Sequence, residues 1–152
     1  MTMTTPPPTI LVGLDSSPRA PAVLAAAADL AQRYGATLVA VRAVEMPRDV
    51  PTQEPLATED GRAEALLAAA RRELDAELAR LPAGLGARRE VRAGEPVDVL
   101  CDLATETRAR FVVIGAHGHS AWRRVLGTTA ARLLEAARTS VVAVRDPSDA
   151  DE

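Results

Sequence analysis

Three glycines and two threonines lie near one another in the last third of the chain, at Gly115, Gly118, Gly127, Thr128 and Thr129. Glycine has no side chain to shield the backbone N–H groups, so a ligand can approach them closely. The threonines open a stretch with helical periodicity, and the first amides of a helix have no partner within that helix. A helix N-terminus combines these free donors with a partial positive charge, and it therefore favours anions. The pattern predicts a cradle for phosphate groups, although short glycine motifs are also typical of a plain strand-to-helix turn.

Asp15 is the candidate partner for the sugar of a nucleotide. It ends the apolar run that begins at Thr9, and it would lie beside the glycine-rich loop if the two preceding strands are neighbours. A carboxylate accepts hydrogen bonds from ribose hydroxyls, or from metal-bound water beside phosphates. An adenine would then lie among small and aliphatic residues at the strand ends, namely Gly13, Ala43 and Ile114. The alternative for Asp15 is an Asx turn or a contribution to the cap of the next helix.

The elements that must position these residues alternate between strand and helix patterns. Short, nearly continuous apolar runs indicate buried strands, and apolar residues spaced three and four apart indicate helices. Strands are predicted at 9–15, 36–47, 87–96, 110–116 and 139–145, and helices at 16–35, about 60–81, 97–109 and 128–138. We expect a serine cap on the first helix. We also expect the third helix to bury Val97, Leu100, Cys101 and Ala104.

This alternation predicts an α/β fold with crossover connections. The expected architecture is a three-layer, Rossmann-like open parallel five-stranded sheet in the order 3-2-1-4-5, with four helices distributed over both faces. In such a sheet, ligands bind beyond the carboxyl ends of the strands, where the strand order reverses. Asp15 and the glycine-rich loop would both lie at that point.

The length and composition of the chain favour one domain. It has 152 residues, of which 47% are hydrophobic, enough for a single core but hard to divide between two. We expect a disordered tail at 1–8, which is polar and rich in proline, a domain at 9–146, and an acidic tail at 147–152.

Charge and cysteine content exclude several classes of function. The net charge is −3, and all 18 basic residues are arginines, so no Schiff-base lysine or P-loop lysine exists. No basic face is evident, which argues against a nucleic-acid partner. A lone cysteine, with neither an apolar span of membrane length nor a leader, predicts a cytoplasmic protein without a membrane partner.

Several reactive side chains are better explained as bystanders. His117 and His119 alternate along the loop, but no further metal ligand lies nearby, so we expect them to face phosphate or solvent. Cys101 lies on the apolar face of its helix and reads as a small core residue. Ser120 is not expected to be a nucleophile, because Trp122 stands where a nucleophile elbow requires glycine. Trp122 itself could cover a nucleotide, contact a partner subunit or pack locally.

The segments "ILVGLD", "RAGEPVDVLCDLA" and "FVVIGAHG…LGTTAARLLEAARTSVVAVR" together resemble the universal stress protein family over nearly the whole chain. The nucleotide-binding members carry the pattern G-x2-G-x9-G-[ST], which Gly115, Gly118, Gly127 and Thr128 match, except that eight residues separate the last two glycines. Asp15 matches the ribose-side aspartate of the family, and Ala43 matches its small adenine contact. The resemblance also implies a homodimer joined through residues 139–145.

The resemblance implies a stress-response regulator that binds ATP, or ADP or AMP, with Mg²⁺ as a candidate counter-ion. Two alternatives remain: a nucleotide-free dimeric module, and a slow Mg-dependent ATPase with His117, His119 or Asp15 as the only candidate bases. We assign no catalytic residue, no metal ligand and no downstream protein partner. The candidate binding residues are Gly13, Leu14, Asp15, Ala43, Ile114, Gly115, His117, Gly118, Gly127, Thr128 and Thr129.

Overall fold

Strands and helices alternate along the chain in the computed structural model, which describes residues 5–47, 59–116 and 126–147. The elements are β1 (Thr9–Gly13), α1 (Ala20–Tyr34), β2 (Thr37–Val44), α2 (Glu59–Leu78), β3 (Ala87–Ala93), α3 (Pro96–Thr107), β4 (Phe111–Gly115), α4 (Thr128–Ala136) and β5 (Ser140–Val144). Each lies within four residues of its predicted limits, the largest difference being at the start of α1. The predictions for residues 117–125, which include His117, Gly118, His119, Ser120 and Trp122, lie outside the described residues, as do most of those for the two tails.

The strands form one parallel sheet in the order β3-β2-β1-β4-β5, which confirms the predicted fold class. β1 lies at the centre, where Ile10, Leu11 and Val12 are fully buried. It pairs with β2 on one side and with β4 on the other. The carboxyl ends of β1 and β4 are therefore adjacent, as the placement of Asp15 beside the glycine-rich loop requires.

Helices cover both faces of the sheet, so the core has two layers. α1 and α2 pack on the face formed by Ile10, Val12, Leu38 and Ala40. α3 and α4 pack on the opposite face, which is formed by Leu11, Val39, Val41, Val112 and Ile114. Successive residues of a strand point to opposite faces, so strands covered on both sides show continuous apolar runs rather than alternation.

The predicted serine cap on α1 is wrong. Arg19 is the N-cap residue and makes no side-chain capping bond. The hydroxyl of Ser17 instead accepts a hydrogen bond from the amide of Arg19, before the helix begins. Pro21 lies in the first turn and has no N–H group, so a cap has one donor fewer to satisfy there.

The buried stripe of α3 also differs from the prediction. Val97 and Leu100 are buried as expected, but Cys101 is only half-buried, and Leu103 is buried in its place. Ala104 likewise is only partly buried against the core. The observed stripe keeps the helical spacing, with Val99 and Leu103 four residues apart, but it is turned around the helix away from Cys101 and Ala104 and toward Val99 and Leu103.

The two edges of the sheet differ in character. β3 carries charged side chains, and Arg92 makes a bidentate pair with Glu106 of α3, with both N–O distances at 2.8 Å. This hydrogen bonding lowers the pKa of the Glu106 carboxyl. Edge charges of this kind discourage pairing with another chain. β5 has the sequence SVVAV, carries no charge, and pairs on one side with β4.

Candidate functional site

A cavity of about 680 Å³ opens at the carboxyl ends of β1, β2 and β4. It is lined by every candidate binding residue that falls within the described part of the chain: Gly13, Leu14, Asp15, Ala43, Ile114, Gly115, Gly127, Thr128 and Thr129. His117 and Gly118 lie outside that part. The volume is in the range of pockets that hold ligands of nucleotide size. Topology therefore gathers residues from four separate segments at one place.

The N-terminus of α4 lies open at this cavity. Gly127 is the N-cap residue, with φ −60° and ψ 152°, and no side chain caps the helix. Among the described residues, none accepts a hydrogen bond from the amides of Thr128, Thr129 or Ala130. The neighbouring helix α3 differs, because the carboxylate of Glu95 accepts hydrogen bonds from its first amides. Free amides at a helix N-terminus are suited to an anion.

Two contacts fix the start of α4. The amide of Gly127 donates to the carbonyl of Ala116, at the end of β4, over 2.8 Å. One turn into the helix, the Nη1 of Arg132 donates to the Oε1 of Glu95 over 2.7 Å. Because Glu95 also caps α3, this residue ties the two helices together beside the cavity. Both ends of the glycine-rich loop are thereby anchored at the same place.

Asp15 lies just beyond β1, and its side chain is exposed. Its Oδ1 accepts a hydrogen bond from the amide of Ser17 over 3.0 Å, which is the Asx turn predicted as the alternative. No described residue donates to its other carboxylate oxygen. The turn and a role in binding are therefore compatible, since one oxygen holds the local geometry while the other is open to a ligand.

One wall of the cavity is apolar. Gly13 faces α3, and a Cβ atom there would lie 3.1 Å from Leu100 Cδ1 and 3.2 Å from Ile114 Cγ2. A larger residue would therefore need its neighbours to move. Val41 and Ala43 line the same cavity from β2. These small and aliphatic groups form an apolar surface on which a planar ring can pack.

Charged residues of the cavity were missed in the sequence, chiefly Arg19, Arg42 and Glu45. Arg42 is buried, and it donates to the carboxylate of Glu73 and to the backbone carbonyl of Asp15. A signal was present, because Arg42 interrupts the otherwise apolar strand TLVAVRAV. A charged side chain inside a buried strand needs specific partners.

Cys101 does not line the cavity, and its surroundings do not activate it as a nucleophile. Burial raises the pKa of the Cys101 thiol, with further contributions from nearby acidic residues, so the nucleophilic thiolate is disfavoured. The described residues contain no cluster of three or more metal-ligating side chains. Nor do they include a helix long and apolar enough to cross a membrane.

Comparisons with known proteins agree with this architecture. The universal stress protein family matches residues 8–145, whereas no curated protein sequence matches significantly. Universal stress protein UspA from Lactobacillus plantarum has a similar structure, with a TM-score of 0.75 and 25% identity over 93% of this chain and 100% of that one. A protein of the universal stress protein family from Burkholderia pseudomallei has a TM-score of 0.69 and 29% identity over 91% of this chain and 96% of that one. The universal stress protein from Archaeoglobus fulgidus in complex with dAMP shares the fold, with a TM-score of 0.57 and 24% identity over 90% of this chain and 96% of that one. The chain belongs to the universal stress protein family.

Proposed function

We propose that this protein binds an adenine nucleotide in the cavity at the end of β1 and β4, and that it acts as a nucleotide-dependent regulator of the stress response. ATP is the proposed ligand, with ADP and AMP as alternatives and Mg²⁺ as its counter-ion. The observation that carries the proposal is the presence of an uncapped helix N-terminus and an exposed carboxylate in one cavity. These features suit two parts of a nucleotide, its phosphate groups and its ribose.

In this proposal each part of the cavity has a separate task. The amides and hydroxyls of Thr128 and Thr129 hold the terminal phosphates, and Gly115 and Gly118 line the path of the phosphate chain. Asp15 accepts hydrogen bonds from the ribose hydroxyls, and the base packs against Gly13, Ala43 and Ile114. Leu14 and His117 complete the proposed contacts. The complex of the Archaeoglobus fulgidus protein with dAMP supports an adenine nucleotide as the class of ligand.

Saturating ATP should raise the melting temperature. At about 100 times the dissociation constant, a ligand that binds only the folded state adds about 2.7 kcal/mol to the free energy of unfolding. For a domain of this size we expect a shift of roughly 5–11 °C. Thermal melting with ATP, ADP, AMP and cyclic AMP, each with and without Mg²⁺, measures this shift, and GTP is the control for recognition of the base.

The same samples separate the competing functions. Stabilisation without release of phosphate is the result expected for a regulator, whereas steady release would indicate the slow ATPase. No shift with any nucleotide at millimolar concentration, in a folded protein, would contradict the proposal and favour the nucleotide-free module. The shorter spacing of eight residues between Gly118 and Gly127 is the observation that favours that second candidate.

We also propose that the protein is a homodimer joined through residues 139–145. The uncharged edge of β5 supports this, because its outer side has no strand partner among the described residues, and Val141, Val142 and Val144 are only partly buried. An apolar sheet edge is prone to pair with another chain. Light scattering after size exclusion should give twice the chain mass of 16.0 kDa, and the monomer mass at micromolar concentration would contradict the dimer.

A further inference from the structure

Arg42 lies inside the fold, where a charged side chain is uncommon. It belongs to the central part of the sheet, on the face covered by α1 and α2, and its side chain is 9% exposed. Burial of an arginine carries a desolvation cost that apolar residues of similar size would avoid. The reason for an arginine at this position therefore lies in the partners of its guanidinium.

The guanidinium of Arg42 joins two elements that are distant in sequence. Its Nη1 donates to the Oε2 of Glu73, on α2, over 2.8 Å. Its Nη2 donates to the backbone carbonyl of Asp15 over 3.1 Å. Its Nε is buried and has no partner in the described part of the chain. The fixed, planar fork of arginine allows two simultaneous bonds of this kind, which a lysine ammonium on a flexible stem does not reproduce.

The carbonyl that Arg42 holds belongs to the residue proposed to bind ribose. The turn around Asp15 is held on one side by the bond from Leu14 N to Val41 O and on the other by the bond from Ser17 N to the Asp15 carboxylate. The bond from Arg42 fixes the peptide unit between these two. It therefore limits rotation of the Asp15 backbone, and Asp15 carries the exposed carboxylate.

We propose that Arg42 is a positioning residue that sets the orientation of Asp15 for recognition of the nucleotide's ribose hydroxyls, and that Glu73 orients Arg42 from α2. This inference rests on the proposed adenine nucleotide function. Arg42 acts through Asp15 and does not itself need to touch the ligand. Its loss should affect the part of the affinity that depends on the hydroxyls and spare the part that depends on phosphate and base.

The test compares the affinities for ATP and for 2′,3′-dideoxy-ATP, which lacks both hydroxyls. We expect the protein to favour ATP roughly tenfold, the value of one hydrogen bond to a charged group. In Asp15→Ala and Arg42→Met this ratio should fall close to one, with the affinity for the dideoxy nucleotide unchanged. Arg42→Lys should also lose most of the selectivity, because a lysine cannot maintain both arms. Arg71→Met is the matched control, since Arg71 pairs with Glu64 on the surface of α2 and does not line the cavity.

The outcomes separate the inference from the proposed function. If the protein binds ATP selectively and Arg42→Met keeps the ratio, or loses affinity for both nucleotides equally, the inference is wrong and the function stands. If the protein binds no adenine nucleotide, both are wrong. If Arg42→Lys keeps the full preference for ATP over the dideoxy nucleotide, the two simultaneous hydrogen bonds of the guanidinium are not needed.

Two further measurements apply if Arg42→Met misfolds or if binding is too weak to compare: a variant at an exposed position, and hydrogen exchange in the absence of ligand. Glu73→Ala removes a carboxylate whose side chain is 58% exposed, so the variant should fold, and it should reduce the ratio about two- to threefold. Hydrogen exchange without ligand should be faster for the peptide that spans the turn at 14–17 in Arg42→Met and unchanged in Arg71→Met. Unchanged exchange in Arg42→Met would show that Arg42 does not hold the turn.

Discussion

Replacing Gly127 by aspartate should strongly weaken ATP binding while the protein remains as stable as before or becomes slightly more so. The φ and ψ angles of Gly127 are open to any residue, so the substitution causes no backbone strain. An aspartate at the N-cap accepts hydrogen bonds from the first amides of α4 and complements the helix dipole, which together stabilise by about 0.5–1 kcal/mol. The same carboxylate occupies the donors proposed for phosphate and repels its charge. We expect a loss of at least about 100-fold in affinity, since two or three charge-assisted hydrogen bonds disappear.

Calorimetric titration with ATP measures this loss, and thermal melting without ligand measures stability. Gly127→Asn is the matched control, because asparagine caps a helix about as well as aspartate but carries no charge. The ATP affinity of Gly127→Asn should lie between that of the unmodified protein and that of Gly127→Asp. Normal ATP affinity in a folded Gly127→Asp protein would exclude the N-terminus of α4 as the phosphate site. A joint loss of affinity and stability would instead point to general damage.

The topology was predictable because burial leaves a clear pattern in this sequence. Strands covered by helices on both faces have nearly continuous apolar runs, as in TILVG and FVVIG, and the edge strand ARREVRA does not. Each run alternates with a helical segment, and parallel strands require such crossovers. With the order of the strands settled, the location of a binding site at the carboxyl end of β1 and β4 follows from the topology.

The polar details could not be predicted, because they depend on side chains that meet only in the folded chain. Arg42 and Glu73 are far apart in sequence, and nothing local indicates that they pair. The start of α1 was predicted wrongly because the hydroxyl of Ser17 accepts a hydrogen bond from the amide of Arg19 before the helix begins. Local propensity favours a serine cap, but the particular backbone path of this turn decides the donor that the hydroxyl meets.

The shortened spacing between Gly118 and Gly127 has a clearer meaning once the ends of the loop are known. The bond from Gly127 N to Ala116 O fixes the start of α4 against the end of β4. A difference of one residue in the intervening segment therefore need not displace the open amides of the helix. The proposed phosphate site depends on this anchored end, and for that reason Gly127 is a sharper test than any residue within the loop.

Truncation of Leu74 should give the opposite result, with a large loss of stability and little loss of binding. Leu74 is fully buried, and it attaches α2 to the sheet together with Ala70. Replacing a buried leucine by alanine removes apolar contacts and leaves a cavity, which costs about 2–5 kcal/mol. For a domain of this size the melting temperature should fall by roughly 4–20 °C. No described residue of α2 lines the binding cavity, so the affinity for ATP at 20 °C should stay within about threefold of the unmodified protein.

Leu66→Ala is the control on the same helix, because Leu66 is 39% exposed and its truncation should cost less than about 1 kcal/mol. Equal losses for the two leucines would contradict the assigned packing of α2. Gly127→Asp and Leu74→Ala together form a crossed pair, in which the first variant loses the ligand and keeps the fold while the second keeps the ligand and loses stability. Only a site built on the end of α4, on a sheet whose opposite face α2 covers, predicts both results at once. A protein in which stability and affinity fell together in both variants would have its binding site distributed over the whole domain.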